Sequence, residues 1–183
     1  MFFLQVDEEI SLKLLEKRDA QLLFQLTEHS RDHLRNWLGW VDYSRTLKDT
    51  KTFIKLANQK YADSTDLVTM IWYRGIPAGS LALYDIKWNN YSANIGYWLG
   101  KDFEGKGIMV RSCGAMVDYS FGTLSLNRLE LKAALANKRS RSVAERLGFK
   151  QEGELRQAEW LYDHFVDVAL YGMLAEDWAF SKT

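Results

Sequence analysis

The sequence predicts an α+β domain built on a central mixed, mostly antiparallel sheet, and three observations carry that reading. Strand-like runs over 67–73, 78–84 and 93–99 follow one another through the short turns Arg74-Gly75 and Trp88-Asn89-Asn90, the pattern of an antiparallel meander. The last of these runs passes through Glu104-Gly105-Lys106-Gly107 straight into an amphipathic helix that extends to about Phe121. Residues 128–148 then read as strand, turn, helix and stop. Arg128, Glu130 and Lys132 alternate with Leu129, Leu131 and Ala133, the pattern breaks at Asn137, and Val143, Ala144 and Leu147 recur at helical spacing before Gly148, a left-handed cap.

The other elements follow in order. The first dozen residues read as a strand, and 18–38 carry Leu22, Leu23, Leu26 and Leu34 in a helical pattern with one break. Thr46 with Asp49 marks a second helix start, with Phe53, Ile54 and Leu56 leading toward Tyr61. The single proline, Pro77, falls just after the Arg74-Gly75 turn. Two final strands are expected over 149–155 and 165–173. With 183 residues, 47% of them apolar, and no repeat, linker or low-complexity segment, the expectation is a single domain over 1–183.

Composition narrows the function classes. Twenty-four basic and 24 acidic residues give zero net charge, so no global field draws the protein onto nucleic acid or an anionic membrane. Cys113 is the only cysteine, which excludes an internal disulfide and fits a reducing, cytoplasmic compartment. It shares helical spacing with Met109, Met116 and Val117, which points to a buried structural thiol. The N-terminal apolar residues lack a basic leader and are interrupted by Asp7, Glu8 and Glu9, and no run reaches membrane length, so a soluble protein is expected. His29 and His33 stand four apart on a helix, but Ser30 follows His29 and no third ligand is evident, so no metal site is expected.

The glycine turn carries the chemistry. Gly105 and Gly107 bracket Lys106, allowing a tight turn that presents backbone N–H groups beside the positive end of the next helix, a site suited to a pyrophosphate. A Walker loop would need Ser or Thr where Gly107 stands, and a dinucleotide fingerprint would need a third glycine at Val110, so neither motif fits. An ordinary strand-to-helix turn is the alternative reading of so short a pattern.

Taken with Asn137-Lys138-Arg139-Ser140, the turn makes the chain resemble the GNAT superfamily of N-acetyltransferases. There a Q/R-x-x-G-x-G/A turn holds the pyrophosphate of coenzyme A and an N-x-x-S segment lies near its thiol arm. Glu104 and Met109 depart from the first pattern, and Gly-Lys-Gly-Ile-Met together with residues 136–174 is similar to the subgroup of RimL and RimJ ribosomal-protein N-terminal acetyltransferases. The resemblance implies a GNAT fold: a twisted sheet with helices on both faces, whose strands near Leu99 and Arg128 splay to form a coenzyme cleft. It implies acetyl-CoA contacts at Trp98, Leu99, Glu104, Gly105, Lys106, Gly107, Ile108, Met109, Asn137 and Ser140. Backbone groups near Trp98 and Leu99 would pair with the pantetheine arm like an added strand and polarise the thioester carbonyl.

The same resemblance implies a general base at Glu159, in Ala158-Glu159-Trp160, and a general acid at Ser140. Read from the residues alone, Ser140 and Asn137 are also good helix caps and Glu159 a solvated turn residue. With ordinary pKa values of about 7.8 and 10.4, deprotonation at pH 7 costs roughly 1 kcal/mol for a peptide N-terminus and roughly 4.6 kcal/mol for lysine. One modest base therefore suits an α-amine, and the expected acceptor is a protein N-terminus of the ribosomal-protein kind, attacked directly in a ternary complex. Trp37, Trp40, Tyr43 and Trp160, with Arg31, Arg35 and His164, are candidates for a peptide groove or for core and interface. Seven tryptophans point to a homodimer. The rival readings are a small-amine acetyltransferase, acting on a polyamine, amino sugar or antibiotic, and a noncatalytic acyl-CoA-binding module.

Overall fold

The computed structural model describes residues 2–180; Met1 and residues 181–183 of the expected 1–183 domain lie outside the described residues. One sheet of eight strands runs in the order β1-β2-β3-β4-β5-β6-β8-β7. The strands are β1 (Phe3–Gln5), β2 (Ile10–Leu14), β3 (Leu67–Tyr73), β4 (Ile76–Lys87), β5 (Ser92–Leu99), β6 (Arg128–Ala134), β7 (Lys150–Leu161) and β8 (His164–Leu174). The helices are α1 (Ala20–Arg35), α2 (Leu47–Ala62), α3 (Ile108–Gly122), α4 (Lys138–Arg146) and α5 (Ala175–Phe180).

Every neighbouring pair is antiparallel except β5 and β6. Those two run parallel, and only Ser92–Ile95 pairs with Arg128–Leu131. Past Ile95, β5 keeps its register with β4 out to Leu99, while past Leu131, β6 keeps its register with β8 out to Ala134. The sheet therefore opens into a V between 96–99 and 132–134, the splay that the family resemblance implies.

Side-chain alternation on the strands feeds two cores. Ile10, Leu12, Ile71, Leu81, Ile95, Leu129, Leu131 and Tyr171 pack with Ile108, Met116 and Val117 of α3 and Ala144 of α4. Val68 and Met70 of β3 pack with Leu23 of α1 and with Ile54 and Ala57 of α2, and Trp98 lies against this second group. The helices thus cover both faces, because a sheet apolar on both sides must be covered on both. Cys113 is 1% exposed inside the larger core, and its thiol is pushed far up by burial.

Three stretches differ from the sequence expectation. The first dozen residues form two strands, because the Asp7 carboxylate accepts the N–H groups of Glu9 (2.8 Å) and Ile10 (2.9 Å) and turns the chain back. The last two strands form one long hairpin that turns at Tyr162, φ 62°. Strand β7 is exposed along most of its length and lacks the alternation that marks a half-buried strand. Helix α5 was not anticipated. At the second helix the expectation holds: Thr46 Oγ1 accepts from Asp49 N while the Asp49 carboxylate accepts from Thr46 N, a capping box.

Candidate active site

The V leads into a cleft of about 870 Å³ lined by the end of β5, the glycine turn, the start of α3 and the first turns of α4. Of the residues named from sequence, Trp98, Leu99, Glu104, Gly105, Gly107, Ile108, Met109, Asn137 and Ser140 line it. The turn is built as the glycines suggest: Gly105 has φ 73° and Gly107, the residue before α3, has φ 68°, both left-handed, with open space where a Cβ would stand. Helix α3 therefore begins with its first N–H groups free of intrahelical partners and facing the cleft's end. Lys106 is turned elsewhere. Its ammonium donates to Asp102 O (2.8 Å) and lies over the Phe103 and Tyr73 rings, so only its backbone belongs to the turn.

Across the cleft, Asn137 Oδ1 accepts the Ser140 N–H at 3.2 Å and caps α4. The Tyr97 hydroxyl, at the bottom of the opening, donates to Ser140 O (2.8 Å), and Ser140 Oγ lies 3.5 Å from it. Burial pushes the Tyr97 hydroxyl's ionisation well above its ordinary value, so it stays neutral and serves as a hydrogen-bonding post. Tyr97 was not singled out from sequence, since inside a strand a tyrosine reads as sheet filler.

Glu159 is exposed on β7 opposite Val166, beside an irregularity in the β7–β8 register, and is not among the residues lining the cleft. Its carboxylate does reach Tyr84 electrostatically. Burial first, then Glu159, Asp85 and Glu130, raise the Tyr84 hydroxyl's pKa. Tyr84 in turn covers Gly96, where an added Cβ would lie 3.0 Å from its ring. Glu159 and Ser140 therefore lie toward opposite faces of the sheet.

On the Glu159 side, residues 36–46 fold against the β7–β8 hairpin. The Tyr162 hydroxyl donates to Leu38 O, and Gly39 packs near Trp160 O. Two arginines of the expected peptide groove are engaged in building this loop: Arg31 donates to Val41 O (2.7 Å) and Ser44 O (2.6 Å), while Arg35 grips Asp42 and lies 3.9 Å over the Tyr162 ring. Trp37 lines the cleft, Trp40 contacts Trp98, and Trp160 meets Phe165 edge-on with both rings 56% exposed. His164 pairs with Asp163.

The two histidines of α1 tie that helix to the approach to the glycine turn. His29 Nε2 lies 2.6 Å from Asp102, His33 Nε2 lies 2.8 Å from Glu104, and Ser30 Oγ accepts from Lys101 N. Glu104 is also ion-paired with Arg139 of α4. The pairing joins residues 35 positions apart, which no local pattern signals, although the basic run Lys138-Arg139 is visible in the sequence.

Residues 9–150 match the model of the acetyltransferase (GNAT) domain. A Bacillus subtilis (strain 168) protein provisionally named ribosomal N-acetyltransferase YdaF is 35% identical over the full length of both chains. The ribosomal-protein-serine acetyltransferase of Escherichia coli (strain K12) is 28% identical over 94% of this chain and 97% of its own. Among solved structures, that of RimL, a ribosomal L7/L12 alpha-N-protein acetyltransferase in complex with coenzyme A, superposes with TM-score 0.92 at 26% identity, covering 94% of this chain and 98% of that one. The V-shaped sheet, the glycine turn and these likenesses agree: the chain belongs to the GNAT acetyltransferase family and is an acyltransferase of its ribosomal-protein N-acetyltransferase type.

Proposed function

We propose that this protein transfers an acetyl group from acetyl-CoA to the N-terminal α-amine of a protein or peptide, of the ribosomal-protein kind, by direct attack in a ternary complex. The observation that carries the reading is the opening of the sheet past Ile95, with the left-handed glycine turn at one end and an aromatic-rimmed mouth at the other. The residues present fit the coenzyme. Lys101, Lys138, Arg139 and Arg146 line the cleft, against Glu104 as the one lining carboxylate among the described residues, a balance suited to a polyanion. The Gly105–Gly107 turn and the start of α3 would hold the pyrophosphate, and the β5 backbone at 96–99, unpaired toward β6, would take the pantetheine arm. Bound there, acetyl-CoA supplies the activated acetyl group.

The chain's own groups manage the protons. Glu159, near Tyr84, is assigned as the base that takes a proton from the incoming ammonium, directly or through water. Ser140, at the start of α4, is assigned as the donor to the departing thiolate. Tyr97 holds the Ser140 main chain and keeps this turn in register with β5. The bridging loop 36–46 and the hairpin tip shape the acceptor entrance.

The test is thiol release from acetyl-CoA with purified protein and a panel of peptides beginning with Ser, Ala or Met, alongside spermidine and an aminoglycoside. Turnover confined to peptides, with the acetyl group mapped to the α-amine, supports the reading. Turnover on small amines alone moves the assignment to a small-amine enzyme, and coenzyme binding with no turnover on any acceptor favours a binding module.

A further inference from the structure

The coenzyme reading leaves one residue in the wrong place. Glu104 puts a carboxylate against the turn assigned to a pyrophosphate, where like charges a few ångströms apart repel strongly in a partly desolvated cleft. In this structure the carboxylate is taken up from both sides. His33 Nε2 approaches Oε1 from α1 at 2.8 Å, and Arg139 Nη1 approaches Oε2 from the first turn of α4. Burial, Arg139 and Lys101 hold the His33 imidazole below its ordinary pKa, so near pH 7 it is a neutral donor and Arg139 alone balances the charge. Of the other arginines nearby, Arg146 also lines the cleft, from the last turn of α4, and two are occupied elsewhere. Arg111 binds Asp7 and Glu9, and Arg141 binds the Tyr171 hydroxyl and Leu135 O.

Arg139 differs from them in exposure as well. Its side chain is 77% exposed while that of Glu104 is 25% exposed, so the carboxylate is the fixed half of the pair and the guanidinium the accessible half. A guanidinium offers the same forked donors to a carboxylate and to a phosphate.

We propose that Glu104 is an internal stand-in for a coenzyme phosphate: in the free enzyme it holds Arg139, and acetyl-CoA binding passes that guanidinium to a phosphate while Glu104 keeps His33. The inference rests on the proposed coenzyme site. Arg139 thereby becomes a phosphate-binding residue, and Glu104 sets the affinity by competing for it.

The experiment is calorimetric titration of acetyl-CoA and of its 3′-dephospho form into the full chain, wild type, Glu104→Gln, Arg139→Gln and the double variant. An ion pair whose guanidinium is largely exposed contributes little to stability, so all four should fold, which circular dichroism checks. Glu104→Gln should tighten acetyl-CoA about three- to tenfold and Arg139→Gln should weaken it by about tenfold, the range of one charge-assisted contact. The gain from Glu104→Gln should be several times larger with Arg139 present than without it. Equal gains in both backgrounds mean simple repulsion and overturn the stand-in, as does unchanged or weaker binding by Glu104→Gln. A gain that persists with the dephospho form identifies the pyrophosphate as recipient; a gain that vanishes identifies the 3′-phosphate. Wild-type protein that fails to bind acetyl-CoA refutes the coenzyme site itself, a result distinct from all of these.

Discussion

Ser140 occupies the first turn of α4, yet the cap of that helix is Asn137, whose Oδ1 accepts the Ser140 N–H, and the Ser140 carbonyl is held by Tyr97. Both contacts use backbone atoms of Ser140, so removing its hydroxyl leaves the helix start in place. With Ser140 in the proposed role of proton donor, Ser140→Ala is expected to lower kcat about 100-fold while the Kd for acetyl-CoA moves less than about twofold, because such a donor acts in the transition state. Calorimetry beside steady-state kinetics separates the two; an effect on Kd alone would make Ser140 a binding residue. Glu159→Gln should lower kcat/KM by a similar factor and alter the acid limb of its pH profile. An unaltered profile and rate would remove Glu159 from the chemistry. At this scale the sequence was legible where a residue belongs to a local motif, as Gly107, Asn137 and Ser140 do. It was silent on Tyr97 and on the Glu104–Arg139 pair, whose meaning comes from partners 43 and 35 positions away.

Strand β4 reaches the V at Gly79, and here backbone meets backbone. A Cβ on Gly79 would lie 2.2 Å from Trp98 O and 3.0 Å from Leu99 Cα, on the stretch of β5 that has no β6 partner. Gly79→Ala must push β5 away, at about 1–3 kcal/mol by the usual cost of overpacking. A lowered Tm together with weakened acetyl-CoA binding is the expected pair of outcomes. Gly107→Ala is a different case. Nothing stands within 4 Å of its missing Cβ, so the cost is that of a left-handed alanine at φ 68°, about 1–2 kcal/mol. The meander β3–β5 and the β6–α4 unit could be read from sequence because each strand buries alternate residues on a core. Strand β7 could be read only over 149–155 and not out to Leu161, because most of its residues are exposed and hydrophobic periodicity has little to record.

Across the whole molecule, acidic groups pin distant elements together. Arg74 and Arg111 hold Glu9 below the usual carboxylate range, and Arg128 does the same to Glu152. Asp7 is pulled upward by burial, but the N–H groups of Glu9 and Ile10 and the Arg111 guanidinium outweigh that and lower it. A carboxylate whose folded pKa is depressed contributes stability above its ordinary value and loses it as pH falls through the lower one. The ordinary values here are 3.8 for Asp and 4.5 for Glu. Chemical-denaturation midpoints should therefore hold steady with respect to these groups above about pH 5 and fall below about pH 4. His33 adds a smaller loss in the same direction below its ordinary 6.5, since its folded form resists protonation. Cys113, 1% exposed, should react with a thiol reagent only after unfolding.

The four residue pairs of β5 and β6 make the sheet two leaves bound along a short spine. The leaf β1–β5 and the leaf β6–β8 share no other strand pairing among the described residues. In the proposed coenzyme site, an extended arm laid against 96–99 would complete the hydrogen-bond ladder that β6 abandons, and the loaded enzyme would also be the finished sheet. Each turnover would then peel that arm from the leaf it had joined, and amide exchange at 96–99 would follow the catalytic cycle as page edges follow the opening of a book.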